Sequence, residues 1–266
     1  LLLSALPKVS LAAGKYIHTY QTTDAFRVIS RFNPWYKPYD GRPTVSADLL
    51  QTTFDMGNGH LTQRLQRAFG FNPDLRPGGV MVVPNAKRVP GKCALHFDAG
   101  THANWQRIHL HHRAREVYRF NMGLVEDFIK RHAHDMQFCE LGRSYSKLES
   151  VEDCTNLPLN KSIEVLASCE WFIGIISGPM HLANALGVKC IVLVNFPHAD
   201  QIMLPTLVDI GQVESEWFYP QAVHLHQDSN GPLAREFSIR NLEGALEGNV
   251  YPYWSDAYLN LIHETL

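Results

Sequence analysis

The chain has no uninterrupted apolar run of the ~18 residues that a membrane-spanning helix needs, and nothing in it reads as a transmembrane segment. It has no C-x-x-C pair. Its five cysteines, Cys93, Cys139, Cys154, Cys169 and Cys190, are scattered, and several sit inside apolar runs. That spacing excludes a disulfide framework or paired-thiolate zinc site and fits reduced, buried thiols of a cytoplasmic protein. Neither sign of charge dominates: 24 Lys and Arg stand against 26 Asp and Glu, for a net charge of −2. With no Lys/Arg tract, there is no footprint for nucleic acid. Internal repeats and low-complexity segments are absent, and the opening LLLSALPKVSLAAG lacks the basic leader and length of a signal peptide. What remains is a chain of 266 residues, 45% hydrophobic, long enough for a large core in one domain or two.

The most informative stretch is Trp171 to Val194, WFIGIISGPMHLANALGVKCIVLV. Trp171 to Ile176 is apolar and uncharged, as a strand buried on both faces requires. Ser177-Gly178-Pro179 breaks it: Ser177 suits an N-cap, Gly178 allows close approach of a backbone or ligand, and Pro179 fits a first helical turn. Met180 to Leu186 continues as helix, Gly187 stops it, and Val188 to Val194 is a second buried strand. Strand, short helix and strand in this length imply a parallel pair with a right-handed crossover. The turn then lies at the carboxyl edge of the sheet. There open α/β sheets bind ligands, and free helix-start N–H groups favour a phosphate. His181 stands beside that position. The same residues also fit an ordinary βαβ turn that Gly and Pro merely shape.

Phe172 to Leu186, FIGIISGPMHLANAL, resembles the motif of family 9 glycosyltransferases, the lipopolysaccharide heptosyltransferases. Their pattern is a buried strand, Asp-Thr/Ser-Gly-x-x-His, and a small-residue helix ending at Gly. Ser177, Gly178 and His181 match it, and Ile176 stands at the Asp position. The resemblance implies a donor-diphosphate site over Ser177, Gly178, Pro179, Met180 and His181. In the family the Asp lies near the donor sugar. The opening helix LLLSALPKV also resembles the family's first helix, with the preceding strand and Gly-x-Gly-Asp turn missing. That turn carries the family's proposed catalytic base, so no residue here inherits the role and the catalytic residues are unassigned.

Along the rest of the chain, Lys15 to Thr19 is expected as a short strand and Asp24 to Phe32 as a helix, with Phe26, Ile29 and Phe32 on one face. Asn33 to Pro43 is a loop whose Trp35, Tyr36 and Tyr39 fit either a sugar-stacking wall or internal packing. A helix is expected from Leu61, closed by Gly70. Pro73 to Pro90 is dense in Pro and Gly and marks the best domain boundary. Cys93 to Asp98 then reads as the first strand of a second domain. The following loop resembles the family's Gly/Ser-rich loop, with Gly100, Thr101 and Asn104 set to contact phosphate and Ala103 or Asn104 where a basic residue is usual. A simple β-to-α loop is the other reading of that segment.

Arg115 to His132 reads as an amphipathic helix, Met136 to Leu141 as a strand and Asn160 to Glu170 as a helix with Ser162 as its cap. By resemblance the strand edge at Glu140, with Tyr145 and Glu149 in the loop, flanks the ribose; no choice among them follows. Asn195 and His198 are placed to touch the donor sugar. A strand at Val223 to Leu225 sets His224 and His226 on one face. Tyr251 to Leu266 is expected to close the chain as a helix. The histidines at 102, 109, 111 and 112 match no zinc pattern, so no metal is expected, and the family implies none. Arg107, Arg113 and Arg115 fit either cations for the leaving diphosphate or plain surface.

The resulting expectation is an α/β fold of the GT-B type, two Rossmann-like domains with parallel sheets facing a cleft. Residues 1–88 would form an acceptor-side domain, incomplete at its start, and residues 89–266 a nucleotide-sugar domain with a closing C-terminal helix. The implied activity is inverting, metal-independent transfer of a heptose-like sugar from a nucleotide-diphosphate donor, ADP-sugar favoured. The acceptor would be a saccharide or lipid-linked glycan of the bacterial surface, lipopolysaccharide or capsule. No cofactor beyond the donor substrate is expected. The chain would work in the cytoplasm, with no nucleic-acid partner and at most peripheral contact with the inner membrane. Two other classes fit the departures at Ile176 and at the phosphate loop. One is a non-catalytic nucleotide-sugar-binding or scaffold protein, the other a GT-B nucleotide-sugar epimerase or hydrolase.

Overall fold

The computed structural model describes residues 24–33, 81–97, 121–194, 219, 222–226 and 237–248. Helix α1 (Asp24–Ser30) comes first. Strand β1 (Val89–His96), helix α2 (Met122–His132) and strands β2 (Gln137–Gly142) and β3 (Val151–Thr155) follow. Then come α3 (Leu159–Ser168), β4 (Cys169–Ile175), α4 (Gly178–Ala185), β5 (Lys189–Val194), β6 (Val223–His226) and α5 (Ile239–Leu246). The strands form one six-stranded sheet in the order β3-β2-β1-β4-β5-β6, and every pairing is parallel. This is the α/β, Rossmann-like architecture expected for the second half of the chain.

Two apolar layers sandwich the sheet. On one face Ala94, Cys139, Phe172 and Val192 pack under Ile163 and Leu166 of α3 and Met180 and Ala183 of α4. On the other, Cys93, Leu95, Phe138, Ile173 and Ile191 pack under Val125, Phe128 and Ile129 of α2 and Leu242 and Ala245 of α5. Alternate strand residues thus serve opposite layers, which is why the inner strands read as near-continuous apolar runs. Each large side chain removed from water here contributes about 1.5–3 kcal/mol.

All five cysteines are buried and unbridged. Val28, Ile29 and Phe32, from α1 and the turn after it, pack on the α3–α4 layer. The Val82 N–H donates to the Phe32 carbonyl and the Met81 N–H to the Ala185 carbonyl. Residues on the N-terminal side of position 89 therefore contribute to this core.

Several elements differ in detail from the sequence reading. Strand β1 begins at Val89, so Val89 and Pro90 of the Pro/Gly-rich stretch lie inside it. Gly91 has φ +71 and marks a register shift between Val89 and Cys93. Helix α3 is capped at Pro158, and Ser162 lies inside it with its hydroxyl turned back on the Pro158 carbonyl at 3.4 Å. Strand β3, VEDCT, and helix α5 have no counterpart in the sequence reading. The expected elements at Lys15–Thr19, Leu61–Gly70 and Tyr251–Leu266 lie outside the described residues, as do Trp35, Tyr36 and Tyr39.

Helix α4 stops as expected. Gly187 takes φ 69, its N–H donates to the Asn184 carbonyl, and the Val188 N–H donates to the Ala183 carbonyl, which is a Schellman ending. Arg88 adds a guanidinium hydrogen bond of 2.7 Å to the Leu186 carbonyl.

Candidate functional site: a helix start at the sheet's switch point

Strand order reverses between β1 and β4. From β1 the chain proceeds to β2 on one side, and from β4 to β5 on the other. Such a reversal opens a crevice at the carboxyl ends of the two strands, the usual ligand position in open α/β sheets. Gly174, near the end of β4, lets the two strands approach. A Cβ there would press on the His96 carbonyl of β1 and come within 2.9 Å of the Phe172 ring. Just beyond it the chain turns through Ile176 and Ser177 into α4.

Ser177 occupies the N-cap position in extended conformation, φ −163 and ψ 173, but its side chain does not cap the helix. Its hydroxyl donates instead to the Ile175 carbonyl at 3.1 Å. The first intrahelical bond runs from the His181 N–H to the Ser177 carbonyl at 3.2 Å. Pro179 has no N–H, so the Gly178 and Met180 N–H groups are the donors of this helix start, and the Ser177 side chain serves neither. A Cβ on Gly178 would meet nothing within 4 Å among the described residues. Among the described residues nothing covers the backbone here, and the helix start carries partial positive charge. Met180 is itself fully buried and can contribute only its N–H.

His181 is half-buried, and its Nδ1 lies 3.1 Å from the Tyr219 hydroxyl. The rings meet edge to face, 5.6 Å between centroids at 75°. Tyr219 is 3% exposed, and burial holds its phenol above the ordinary value, so it stays neutral. The sequence reading missed Tyr219. It lies 38 residues beyond His181, and no motif or periodicity links the two.

Glu140 and Tyr145 sit at the same edge, over the end of β2, with β1 between them and the turn. Glu140 is 2% exposed. One of its oxygens accepts from the Ser146 N–H at 2.9 Å and the Ser146 hydroxyl at 2.6 Å. Tyr145 donates its hydroxyl to the Val151 carbonyl at 2.7 Å, which closes the β2–β3 loop. Glu149 is exposed in that loop.

His96, at the end of β1, is buried, with Nδ1 2.8 Å from the Leu141 carbonyl. Because a carbonyl only accepts, Nδ1 carries the proton there. His224 is buried within β6.

Gly100, Thr101, Asn104, Asn195 and His198 lie outside the described residues, as do His102, His109, His111, His112, Arg107, Arg113 and Arg115. Among the described residues no group of three His, Cys, Asp or Glu side chains could hold a metal ion. Nor, among them, is any helix long and apolar enough to cross a membrane.

Residues 133–201, from the end of α2 to just past β5, match the model of glycosyltransferase family 9 (heptosyltransferase). No curated protein sequence matches the chain. Among solved structures, the chain is similar to the bacterial iron-containing dodecameric glycosyltransferase TibC from enterotoxigenic E. coli H10407. That match has a TM-score of 0.52 at 15% identity, covering 98% of this chain and 71% of TibC. It is similar also to the dodecameric iron-containing heptosyltransferase TibC in complex with ADP-D-β-D-heptose, with TM-score 0.52, 14% identity and coverage of 98% and 73%. A family 9 glycosyltransferase from Veillonella parvula DSM 2008 aligns with TM-score 0.50 and 11% identity over 94% of this chain and 92% of its own. At these identities the structures speak for the fold alone. The likeness to glycosyltransferase family 9 rests on the matched segment, which contains β2 to β5 and the whole turn at Ser177.

Proposed function

We propose that the chain transfers a heptose-like sugar from a nucleotide-diphosphate donor to a saccharide or lipid-linked glycan acceptor of the bacterial surface. An ADP-sugar is the favoured donor. The observation that carries this reading is the start of α4: N–H groups at Gly178 and Met180 that the Ser177 side chain leaves uncapped, at the sheet's switch point, inside the segment that matches the family. ADP-heptose bound to TibC, a protein of similar fold, supports the donor class.

The acceptor hydroxyl attacks the anomeric carbon while the bond to the diphosphate breaks, inverting that centre. Charge grows on the departing phosphate oxygens. In this reading the Gly178 and Met180 N–H groups and the His181 ring stabilise it without reorganising. A general base must take the hydroxyl proton, and it comes from outside the turn. Glu140 and Tyr145, at the end of β2, are on the ribose side in this reading. Gly100, Thr101 and Asn104 complete the phosphate contacts, and Asn195 and His198 the sugar contacts. Residues 89–266 build the donor side, joined in its core by Val28, Ile29, Phe32 and Met81, and the rest of residues 1–88 builds the acceptor side. The reaction needs no metal and no cofactor beyond the donor, and takes place in the cytoplasm against the inner membrane.

Calorimetric titration with ADP, UDP, GDP and CMP tests the donor site, alongside Ser177→Trp, which fills the turn. One diphosphate should bind, and the variant should lose it. Transfer is then read as release of that diphosphate from its sugar conjugate in the presence of acceptor. A folded chain that binds none of the four nucleotides refutes the donor site and leaves a scaffold role in its place.

A further inference from the structure

Glu140 is a carboxylate held inside the sheet. It is 2% exposed, pairs with Leu95 of β1 and Asp153 of β3, and lies just before the end of β2. Burying such a group is costly unless hydrogen bonds meet it. Among the described residues, both hydrogen bonds it receives come from one residue and reach one oxygen. Oε2 accepts from the Ser146 N–H at 2.9 Å and from the Ser146 hydroxyl at 2.6 Å, the length of a charge-assisted bond. We propose that Ser146 is a positioning residue for the nucleotide: by engaging Oε2 with both donors it leaves Oε1 to accept from the vicinal hydroxyls of the ribose. This rests on the reading of Glu140 as lying on the ribose side. It adds the residue that aims the carboxylate and the discrimination that follows, for nucleotides that carry those hydroxyls over ones that lack them.

The pair is more than a clasp for the β2–β3 loop, because that loop is closed without it. Tyr145 donates to the Val151 carbonyl at 2.7 Å, and Leu148 is buried in the layer under α2. Two neutral partners would serve a clasp equally well and would take no carboxylate out of water. Ser146 itself is exposed, and the next residue, Lys147, holds φ 60, a left-handed conformation uncommon away from glycine. Local strain is thus tolerated at the bend that brings both Ser146 donors onto Glu140. A carboxylate oxygen has two lone pairs and no proton to give. It suits two neighbouring hydroxyls, which can both donate, and it repels a phosphate. That keeps the diphosphate at the start of α4, on the far side of β1. Tyr145 is no substitute, its hydroxyl being spent on the Val151 carbonyl, and Glu149 is exposed in the loop.

The experiment measures by calorimetry the affinities of ADP and of 2′,3′-dideoxy-ADP, or of the same pair with the base that the titration above selects. The full chain is compared with Ser146→Ala and Ser146→Thr, with thermal melting of each. The wild-type chain should favour the ribose form at least about tenfold, as a hydrogen bond to a charged group implies. Ser146→Ala should cut that preference about 3- to 10-fold by weakening ADP alone, and Ser146→Thr, which keeps the hydroxyl, should restore it.

Equal affinity of the wild-type chain for the two nucleotides overturns the proposal without recourse to any variant. So does a Ser146→Ala chain that loses both nucleotides in equal measure, since a loop that merely supports the fold would behave in that way, or one that keeps the wild-type preference. Failure of the wild-type chain to bind any nucleoside diphosphate instead removes the donor site itself, and the proposal with it. That outcome is distinct from binding that ignores the ribose hydroxyls.

Discussion

Two glycines four residues apart should respond in opposite ways to a single methyl group. At Gly178 a Cβ meets nothing within 4 Å among the described residues, and the position is the first of α4. Alanine there restricts the unfolded chain without straining the folded one, which should stabilise by about 0.4–1 kcal/mol. The methyl group nevertheless stands over the helix start. Hydrogen bonds to a charged group are worth ~1.5–3 kcal/mol, so obstructing them should weaken nucleoside-diphosphate binding by at least about tenfold. At Gly174 the same methyl group presses on the His96 carbonyl and comes 2.9 Å from Phe172 Cζ. Phe172 is fully buried and the carbonyl belongs to a paired strand, so neither can yield cheaply. Overpacking of this kind costs about 1–3 kcal/mol, or several degrees of melting temperature in a chain of this size. Calorimetric melting and ADP titration of both variants decide the matter. Early melting of Gly178→Ala, its normal binding of ADP, or normal melting of Gly174→Ala would each refute the reasoning.

At the opposite edge of the sheet Glu170 accepts from the Gly91 N–H at 2.9 Å and from Lys189 Nζ at 2.9 Å, and the Gly91 bond, then Lys189, hold its carboxyl below the ordinary value. A depressed folded value means stability that is present above the unfolded carboxylate range and lost as pH falls through the folded one. Glu170→Gln should therefore cost about 0.5–1 kcal/mol at pH 7, modest because solvent screens the pair; urea titrations at pH 7 and pH 3 should show the gap closing, and an equal gap at both would contradict it. The cysteines should be inert in the folded chain, since all are buried and burial pushes Cys154 up to about 12. A thiol reagent at pH 8 should find none of the five reactive until urea is added, and a fast-reacting thiol in the native chain would break the expectation.

The inner strands were legible because burial on both faces leaves a plain apolar signature. Strands β2, β4 and β5 fall within a residue or two of where the runs QFCEL, WFIGI and KCIVLV place them. Strand β3 was not. Its sequence VEDCT carries two acidic residues, both exposed, and edge strands use such charges to discourage further pairing. The turn at Ser177 was readable as a unit since its parts are contiguous, yet the role of its serine was not. The residue types that cap helices also bond carbonyls behind them, and here the hydroxyl turns to Ile175. Tyr219 was illegible for a different reason. Its contact with His181 depends on the sheet bringing distant segments together, and a lone tyrosine carries no local pattern.

The turn also separates two duties that the family motif joins. Where the motif has an acidic residue this chain has Ile176, half-buried and packed on the layer under α3 and α4. Holding a diphosphate draws on backbone N–H groups and on a helix start, and these survive a change of one side chain. Contact with a donor sugar through a carboxylate does not. A carboxylate one residue before Ser177 would also repel the phosphates. Isoleucine at this position anchors the loop to the core and leaves the helix start as the polar feature of the turn among the described residues. In the function proposed above, the chemistry of the turn is that of anion holding, and Tyr219, in the α3–α4 layer with Met180 and Ala183, ties His181 to the packing of the domain.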